Sequence, residues 1–278
     1  MSSDAMIRLS GVWKKYSTKD IFHKSLREEL SQAFKRRDAG ELGESEFWAL
    51  RGVNIEITKG ECVGLFGHNG AGKTTILKLI ASVTYPNLGA VEVNGRVAPL
   101  ISVGAGFHPD LTGRENIYTN GTIIGMTIRE VRENIERIIE FSGIEKKFLD
   151  MPVKKYSDGM SARLGFSIAV HSSADIILID EILAVGDEAF QEKCLSKIKE
   201  LSSGGKTVLV VSHNRPRIEE LTDRIIFIKQ GNLVSSEYIS EQRTKDHEPI
   251  PTQGILGKKT EVGIYTERCG EYCFRRKL

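Results

Sequence analysis

Gly67-His68-Asn69-Gly70-Ala71-Gly72-Lys73-Thr74 places a glycine, four further residues and then Gly-Lys-Thr in one short run. Glycines at these places let successive backbone N–H groups close around phosphate oxygens with no Cβ in the way. A helix opening directly after the loop aims its positive end at the same oxygens. Lys73 can then reach the β- and γ-phosphates, and Thr74 offers a hydroxyl to Mg2+. Asp180-Glu181 follows the apolar run DIILI. Ligands of open α/β sheets gather at the carboxyl ends of strands, so both acids project towards the phosphate loop. There Asp180 suits holding Mg2+ through water, and Glu181 suits orienting or deprotonating an attacking water. His213 closes the run TVLVVS and reaches the same crevice, within range of the γ-phosphate or the water. Ser157-Asp158-Gly159-Met160 precedes the helical run SARLGFSIAV. A serine cap and a glycine make a second helix N-terminus suited to a phosphate, although alone the segment also reads as an ordinary capped helix.

The elements that must position these residues alternate between strand and helix. ECVGLF (61–66) runs into the glycine loop and then into the helical pattern TILKLIASV. DIILID and TVLVV are apolar without alternation, as expected of strands buried on both faces of a parallel sheet. Residues 6–12 and the alternation of Val53, Ile55 and Ile57 read as half-buried strands, and 224–229 with 232–236 as a hairpin around Gln230-Gly231. Phe190, Cys194, Ile198 and Leu201 mark a helix that stops at Gly204-Gly205. Residues 107–170 are mainly helical, with Ile128, Val131, Ile135, Ile138 and Ile139 at a 3.6-residue period. The expected fold is α/β: a mostly parallel sheet around a phosphate-binding loop, an antiparallel β edge and an inserted helical subdomain over about 107–170. In 20–37, Phe22, Leu26, Leu30 and Phe34 recur every four residues and predict an inserted amphipathic helix. The ATPase-type domain then covers 1–236, and 237–278, with Pro249, Pro251, Gly254 and Gly257, reads as a loose tail.

Composition limits the function. The chain has 278 residues, 40% hydrophobic and 27% charged, which marks a folded protein of one to two domains. Lys plus Arg number 39 and Asp plus Glu 37, a net charge of +2 that argues against a nucleic-acid partner. No apolar run approaches the ~20 residues of a membrane helix, and MSSDAMIRLS lacks the basic flank and apolar stretch of a signal peptide. Cys62 and Cys194 sit in apolar patterns as small core residues. Cys269 and Cys273 have no nearby histidine to complete a zinc set, so no metal site is expected there.

Taken together, the motifs resemble the nucleotide-binding subunit of ABC transporters from about residue 6 to 236, in the family order. GHNGAGKT looks like the Walker A loop, extended by Thr75, and IILIDE like Walker B with its catalytic glutamate. Tyr156-Ser157-Asp158-Gly159-Met160 stands where the family has Leu-Ser-Gly-Gly-Gln; Asp158 and Met160 depart from it. AVGD ends on the D-loop Asp187, His213 matches the switch histidine, and Tyr16, rather than Trp13, matches the aromatic that stacks on adenine. The glutamine usual where core and helical subdomain join is missing from LISVGAGFHPDLTGREN, and Ser102 is the nearest polar residue. GAGFHP, LTGREN, KKYSDGM and DEILAVGDEAFQEKC resemble the polysaccharide-export branch, whose members carry a helix between the first two strands.

The resemblance implies ATP and Mg2+ bound between two copies in a head-to-tail homodimer, with Ser157–Met160 of one copy acting in trans on the other. It also implies an integral membrane permease, a lipid-linked polysaccharide (O-antigen, capsule or teichoic acid) as transported substrate, and a place on the cytoplasmic face of the membrane. About forty residues after the core are too few for a carbohydrate-binding β-domain of the kind some members add. The rival reading is a soluble ABC-type ATPase acting as a regulator or on nucleic acid or ribosomes.

Overall fold

In chain order the elements are β1 (Ala5–Ser17), β2 (Glu46–Thr58), β3 (Cys62–Phe66), α1 (Lys73–Ile80), β4 (Leu88–Asn94), β5 (Val97–Leu100), α2 (Gly113–Ile123), α3 (Ile128–Ser142), α4 (Lys146–Leu149), α5 (Asp158–Val170), β6 (Ile176–Asp180), α6 (Glu188–Ser203), β7 (Thr207–Ser212), α7 (Arg215–Leu221), β8 (Arg224–Lys229), β9 (Asn232–Tyr238) and β10 (Phe274–Lys277). They come from a computed structural model that describes residues 4–18, 42, 45–100, 106–180, 187–238 and 274–277. The expected helix at 20–37, Ser102, Glu181, Cys269 and Cys273 lie outside the described residues.

The unalternating runs CVGLF, IILID and TVLVVS become β3, β6 and β7, buried on both faces. They lie in a six-stranded sheet of order β5-β6-β7-β3-β8-β9, parallel except for the β8–β9 hairpin. A second sheet, β10-β4-β1-β2, is antiparallel apart from the β10–β4 pair. Its inward residues Ile7, Leu9, Leu50, Ile57, Val91 and Val93 pack with Leu65, Ile76, Leu77 and Leu178 into one core around α1. On the other side of the parallel sheet, Phe166 of α5 and Phe190, Cys194 and Ile198 of α6 cover Ile177, Ile179 and Val208. The helical segment has a core of its own from Ile117, Val131, Ile135, Ile138, Leu149, Leu164 and Ile168.

Three features depart from the sequence reading. β1 runs on from the alternation at 6–12, past Trp13 and Tyr16 where the sequence reading ends it, to Ser17; Gly11 takes a positive φ of 56° and the pairing shifts register between Leu9 and Val12 instead of stopping. β4 and β5 occupy 88–100, where no strand was expected; Val91 and Val93 alternate inward, but Gly89 and Gly95 obscure the pattern. Gly89 is required, since a Cβ there would lie 2.3 Å from the Gly11 carbonyl oxygen. Third, within the segment read as a loose tail, Phe274–Lys277 forms a strand along β4.

One carboxylate joins the helical segment to the sheet. Thr127 caps α3, and Glu130, three residues on, accepts from the Thr127 backbone N–H at 2.7 Å. The same carboxylate accepts from Ser173 Oγ at 2.5 Å and from Arg96 Nη1 at 3.3 Å, beside β5. These donors, Ser173 foremost, hold its pKa down at about 2. A depressed carboxylate stabilises above the ordinary value of 4.5 and loses that contribution as the pH falls towards 2. Glu130→Gln is therefore expected to cost about 1 kcal/mol at pH 7, after screening at this partly exposed site. Urea unfolding at pH 7 and pH 3 checks it: the gap between variant and wild type narrows at the lower pH.

Candidate functional site

The glycine loop leaves the carboxyl end of β3, between its neighbours β7 and β8, and α1 opens at Lys73. Gly72 has φ 110°, and a Cβ there would sit 2.8 Å from the Ala49 carbonyl oxygen and Leu50 Cδ2. A Cβ at Gly67 would meet the Ile228 carbonyl oxygen at 2.4 Å. The glycines thus let the loop press against β2 and β8. A brace that the motif did not reveal comes from the β8–β9 turn: Gly231 N–H donates to the Ala71 carbonyl at 2.9 Å, and Arg51 N–H donates to the Gly231 carbonyl at 2.8 Å.

Lys73 is buried, and its amine donates to the Gly67 and His68 carbonyls at 2.7 and 3.0 Å. It spans the loop from beneath, with a cation at the loop's mouth. Thr74 Oγ1 donates to Asp180 Oδ2 at 3.0 Å. This hydroxyl and carboxylate are hard oxygen donors, side by side at the end of β6 and the start of α1. That pairing suits Mg2+, which keeps most of its water and takes one or two protein oxygens plus phosphate. Among the described residues no group of three or more His, Cys, Asp or Glu could hold a metal ion. His213 lies one residue beyond β7, between the strands that end at Asp180 and at the glycine loop, and is exposed. Glu181 would follow Asp180 directly.

A cleft of about 640 Å³ runs from Asn69, Gly70, Gly72, Lys73, Thr74, Thr75 and Asp180 to Tyr16, Phe47 and Ala49. Tyr16 thereby shares a cleft with the phosphate loop across some fifty residues of chain. Phe47, directly opposite it in the β1–β2 pairing, was not singled out beforehand. The aromatic pair Phe47-Trp48 in a half-buried strand was the available signal.

The segment 157–160 is not among the residues lining this cleft. Ser157 caps α5, its Oγ accepting from the Met160 backbone N–H at 3.1 Å, and Asp158 and Gly159 form the first turn. A Cβ at Gly159 would meet only Ser157 Oγ, at 3.8 Å, so nothing inside the protomer demands glycine there. Asp187 caps α6 by accepting from Phe190 N–H at 2.9 Å and pairs with Arg163 of α5 at 2.5 Å. The Phe190 N–H above all, then Arg163, keep the Asp187 carboxyl below its ordinary range. The Arg163 guanidinium also lies 5.0 Å from the Phe190 ring centroid, so the helix behind Ser157 is tied to the segment after β6. Cys62 and Cys194 are buried, which pushes both thiols up to about 12 and leaves them inert, as their pattern suggests.

Comparison with known proteins places this geometry. The family model described as ABC transporter matches residues 50–184. The O-antigen export system ATP-binding protein RfbB of Klebsiella pneumoniae is 47% identical over 188 residues, covering 68% of this chain and 76% of that protein. The ABC transporter protein AbcA of Aeromonas salmonicida is 47% identical over 188 residues, and the chain spans 61% of its length. The teichoic acids export ATP-binding protein TagH of Lactiplantibacillus plantarum is 38% identical over 247 residues, covering 89% of this chain and 65% of that protein. The fold is that of a dimeric ATP-binding cassette solved in a post-hydrolysis state with ADP and Pi, at a TM-score of 0.67 and 24% identity over 84% of this chain and 99% of that one.

Proposed function

The chain belongs to the ABC transporter family, and from that premise we propose that it is the ATP-hydrolysing subunit of an exporter that moves lipid-linked polysaccharide across the cytoplasmic membrane. The observation that carries the ATPase reading is the Thr74–Asp180 contact beside Lys73 in the glycine cradle. The names of the relatives, O-antigen and teichoic acid export, support the polymer as cargo.

In this reading the triphosphate lies along the loop from Gly67 to Thr75, under the N–H groups of His68, Asn69, Gly70 and Gly72, while the Ala71 N–H donates within the loop to the His68 carbonyl at 3.1 Å. The Lys73 amine exchanges its carbonyl partners for β- and γ-phosphate oxygens. Thr74 and, through water, Asp180 would hold Mg2+, which would supply positive charge against that of the phosphates. Glu181 takes a proton from the attacking water, whose oxygen bonds to the γ-phosphorus while the bond to the β–γ bridging oxygen breaks, releasing ADP and phosphate. His213 holds the γ-phosphate or that water. A second copy, docked head to tail, lends Ser157, Asp158, Gly159 and Met160 to the other side of the same phosphate. Ser157 Oγ accepts from Met160, which leaves its own proton free to donate, and the absence of a Cβ at Gly159 admits the close approach. Asp187, tied to Arg163, follows the dimer joint. ATP closes the pair and hydrolysis releases it.

Among the described residues no helix is long and apolar enough to cross a membrane, so the path for the polymer belongs to a separate permease. A cleft of about 200 Å³ between Ile80, Ser82, Val97, Pro99, Ile123 and Ile124, with apolar side chains and exposed polar atoms mixed along it, suits its attachment. Ile123 on its wall exposes more than half of its surface. Ile123→Asp is expected to abolish stimulation of ATP turnover by the co-expressed membrane subunit and to leave ATP affinity unchanged. Unaltered stimulation would place the attachment elsewhere. No observation favours the soluble-regulator alternative.

A further inference from the structure

Asn-Gly occurs three times in the chain, at Asn69-Gly70, Asn94-Gly95 and Asn120-Gly121. The pair is reactive because the glycine amide nitrogen has no side chain beside it to hinder attack on the preceding asparagine side chain. The fold protects two of the three. The Asn94 amide, at the end of β4, donates to the Ala5 carbonyl at 2.8 Å, and a Cβ at Gly95 would lie 3.0 Å from Asp175 and Met6. Asn120 is buried within α2, where the helix holds the peptide that follows it, and a Cβ at Gly121 would lie 2.8 Å from Val131. Asn69-Gly70 differs on every count. Both residues are exposed at the cleft, in the middle of the turn that the Ala71 N–H closes on the His68 carbonyl at 3.1 Å. Gly70 has φ 77°, and nothing lies within 4 Å of where its Cβ would be, so its peptide has room to rotate. Among the described residues, neither the Asn69 side chain nor the Gly70 N–H makes a hydrogen bond.

We propose that Asn69 is a site of spontaneous deamidation, and that the change silences the phosphate loop of a copy left without nucleotide. Solvent hydroxide takes the Gly70 N–H proton, and the nitrogen bonds to Asn69 Cγ. The Cγ–Nδ2 bond breaks, and the amide nitrogen leaves as ammonia with a proton from water. The cyclic imide that remains takes up one water. Opening at the Cγ–N bond gives aspartate; opening at the backbone carbonyl gives isoaspartate, whose chain runs through Cβ and Cγ. Nothing is oxidised or reduced. Either product puts a carboxylate where the loop meets phosphate, and like charges at that range repel. Isoaspartate also adds a backbone carbon, which carries the N–H groups after it out of register with the phosphate oxygens. Bound triphosphate engages the Gly70 N–H, so nucleotide withholds the nucleophile. The loss of ATP binding and this protection rest on the cleft being the nucleotide site; the reaction at Asn69 does not.

Ageing the purified chain at pH 8, with and without a non-hydrolysable ATP analogue and Mg2+, tests it. Peptide mapping by mass spectrometry counts aspartate and isoaspartate at each of the three asparagines. Without nucleotide, Asn69 is expected to convert about tenfold faster than Asn94 or Asn120, which must first break a hydrogen bond or unwind a helix. Conversion at Asn69 no faster than at those two would overturn the site. Saturating analogue should slow Asn69 about tenfold and leave the other two unchanged. Equal rates with and without bound analogue would place the nucleotide elsewhere and leave the modification standing. Fresh Asn69→Asp should bind ATP about tenfold more weakly than wild type, and aged wild type should lose tight ATP sites in proportion to its converted fraction. Asn69→Gln, whose side chain would have to close a larger ring, should bind ATP after ageing as it does when fresh. Full ATP affinity in Asn69→Asp, together with unchanged binding by converted wild type, would overturn the silencing.

Discussion

Glu181→Gln is expected to reduce ATP turnover by about a hundredfold or more while leaving ATP binding intact. General-base catalysis contributes on the order of 10²–10⁴ in rate, and glutamine keeps the shape of glutamate without its proton affinity. Asp180 ends β6 with its carboxylate 3.0 Å from Thr74 Oγ1, and Glu181 is the next residue in the sequence. On the proposed cycle, in which hydrolysis opens the closed pair, the variant should also accumulate as an ATP-bound dimer. Size-exclusion chromatography with and without ATP reads that directly, and phosphate release gives the rate. Turnover within a few-fold of wild type would transfer the base role to another group, with His213 the next to be replaced.

Lys73→Ala is expected to lose about a hundredfold in ATP affinity. Two effects combine. The amine is a buried cation at the mouth of the loop, and a charge-assisted contact to phosphate is among the stronger hydrogen bonds a protein makes. It also ties the Gly67 and His68 carbonyls together, so removing it loosens the cradle itself. Isothermal titration with ATP measures the first effect. The second is isolated by Lys73→Arg, which keeps the charge but cannot fit the same two carbonyls, and should recover only part of the affinity. Full affinity in Lys73→Ala would contradict the phosphate site.

Much of this arrangement was legible in the sequence, for identifiable reasons. The phosphate loop is local: its glycines, lysine and threonine are consecutive, and the flanking strand and helix are written in CVGLF and TILKLI. The buried strands β6 and β7 show as apolar runs, and the strand-end rule then delivers Asp180 and His213 to the same edge of the sheet. What escaped is non-local. The brace from Gly231 to the phosphate loop joins positions 160 residues apart and has no pattern of its own. Phe47 is recognisable only once β1 and β2 are set in register opposite Tyr16. β4 and β5 were hidden because Gly89, Asn94 and Gly95 punctuate a stretch whose alternation is only three residues deep. The helix N-terminus at Ser157 was visible as a cap, but its isolation from the cleft of its own protomer emerges only in three dimensions. That separation is the strongest reason to expect a second copy.

The composite site is tested most directly by ATP turnover per protomer across a range of protein concentrations, with and without the co-expressed membrane subunit. If Ser157–Met160 of one copy completes the site of the other, the rate per protomer rises with concentration until the dimer is saturated, and the membrane subunit raises it further. A rate per protomer that stays constant from dilute to concentrated solution, and is unmoved by the membrane subunit, would contradict the shared site.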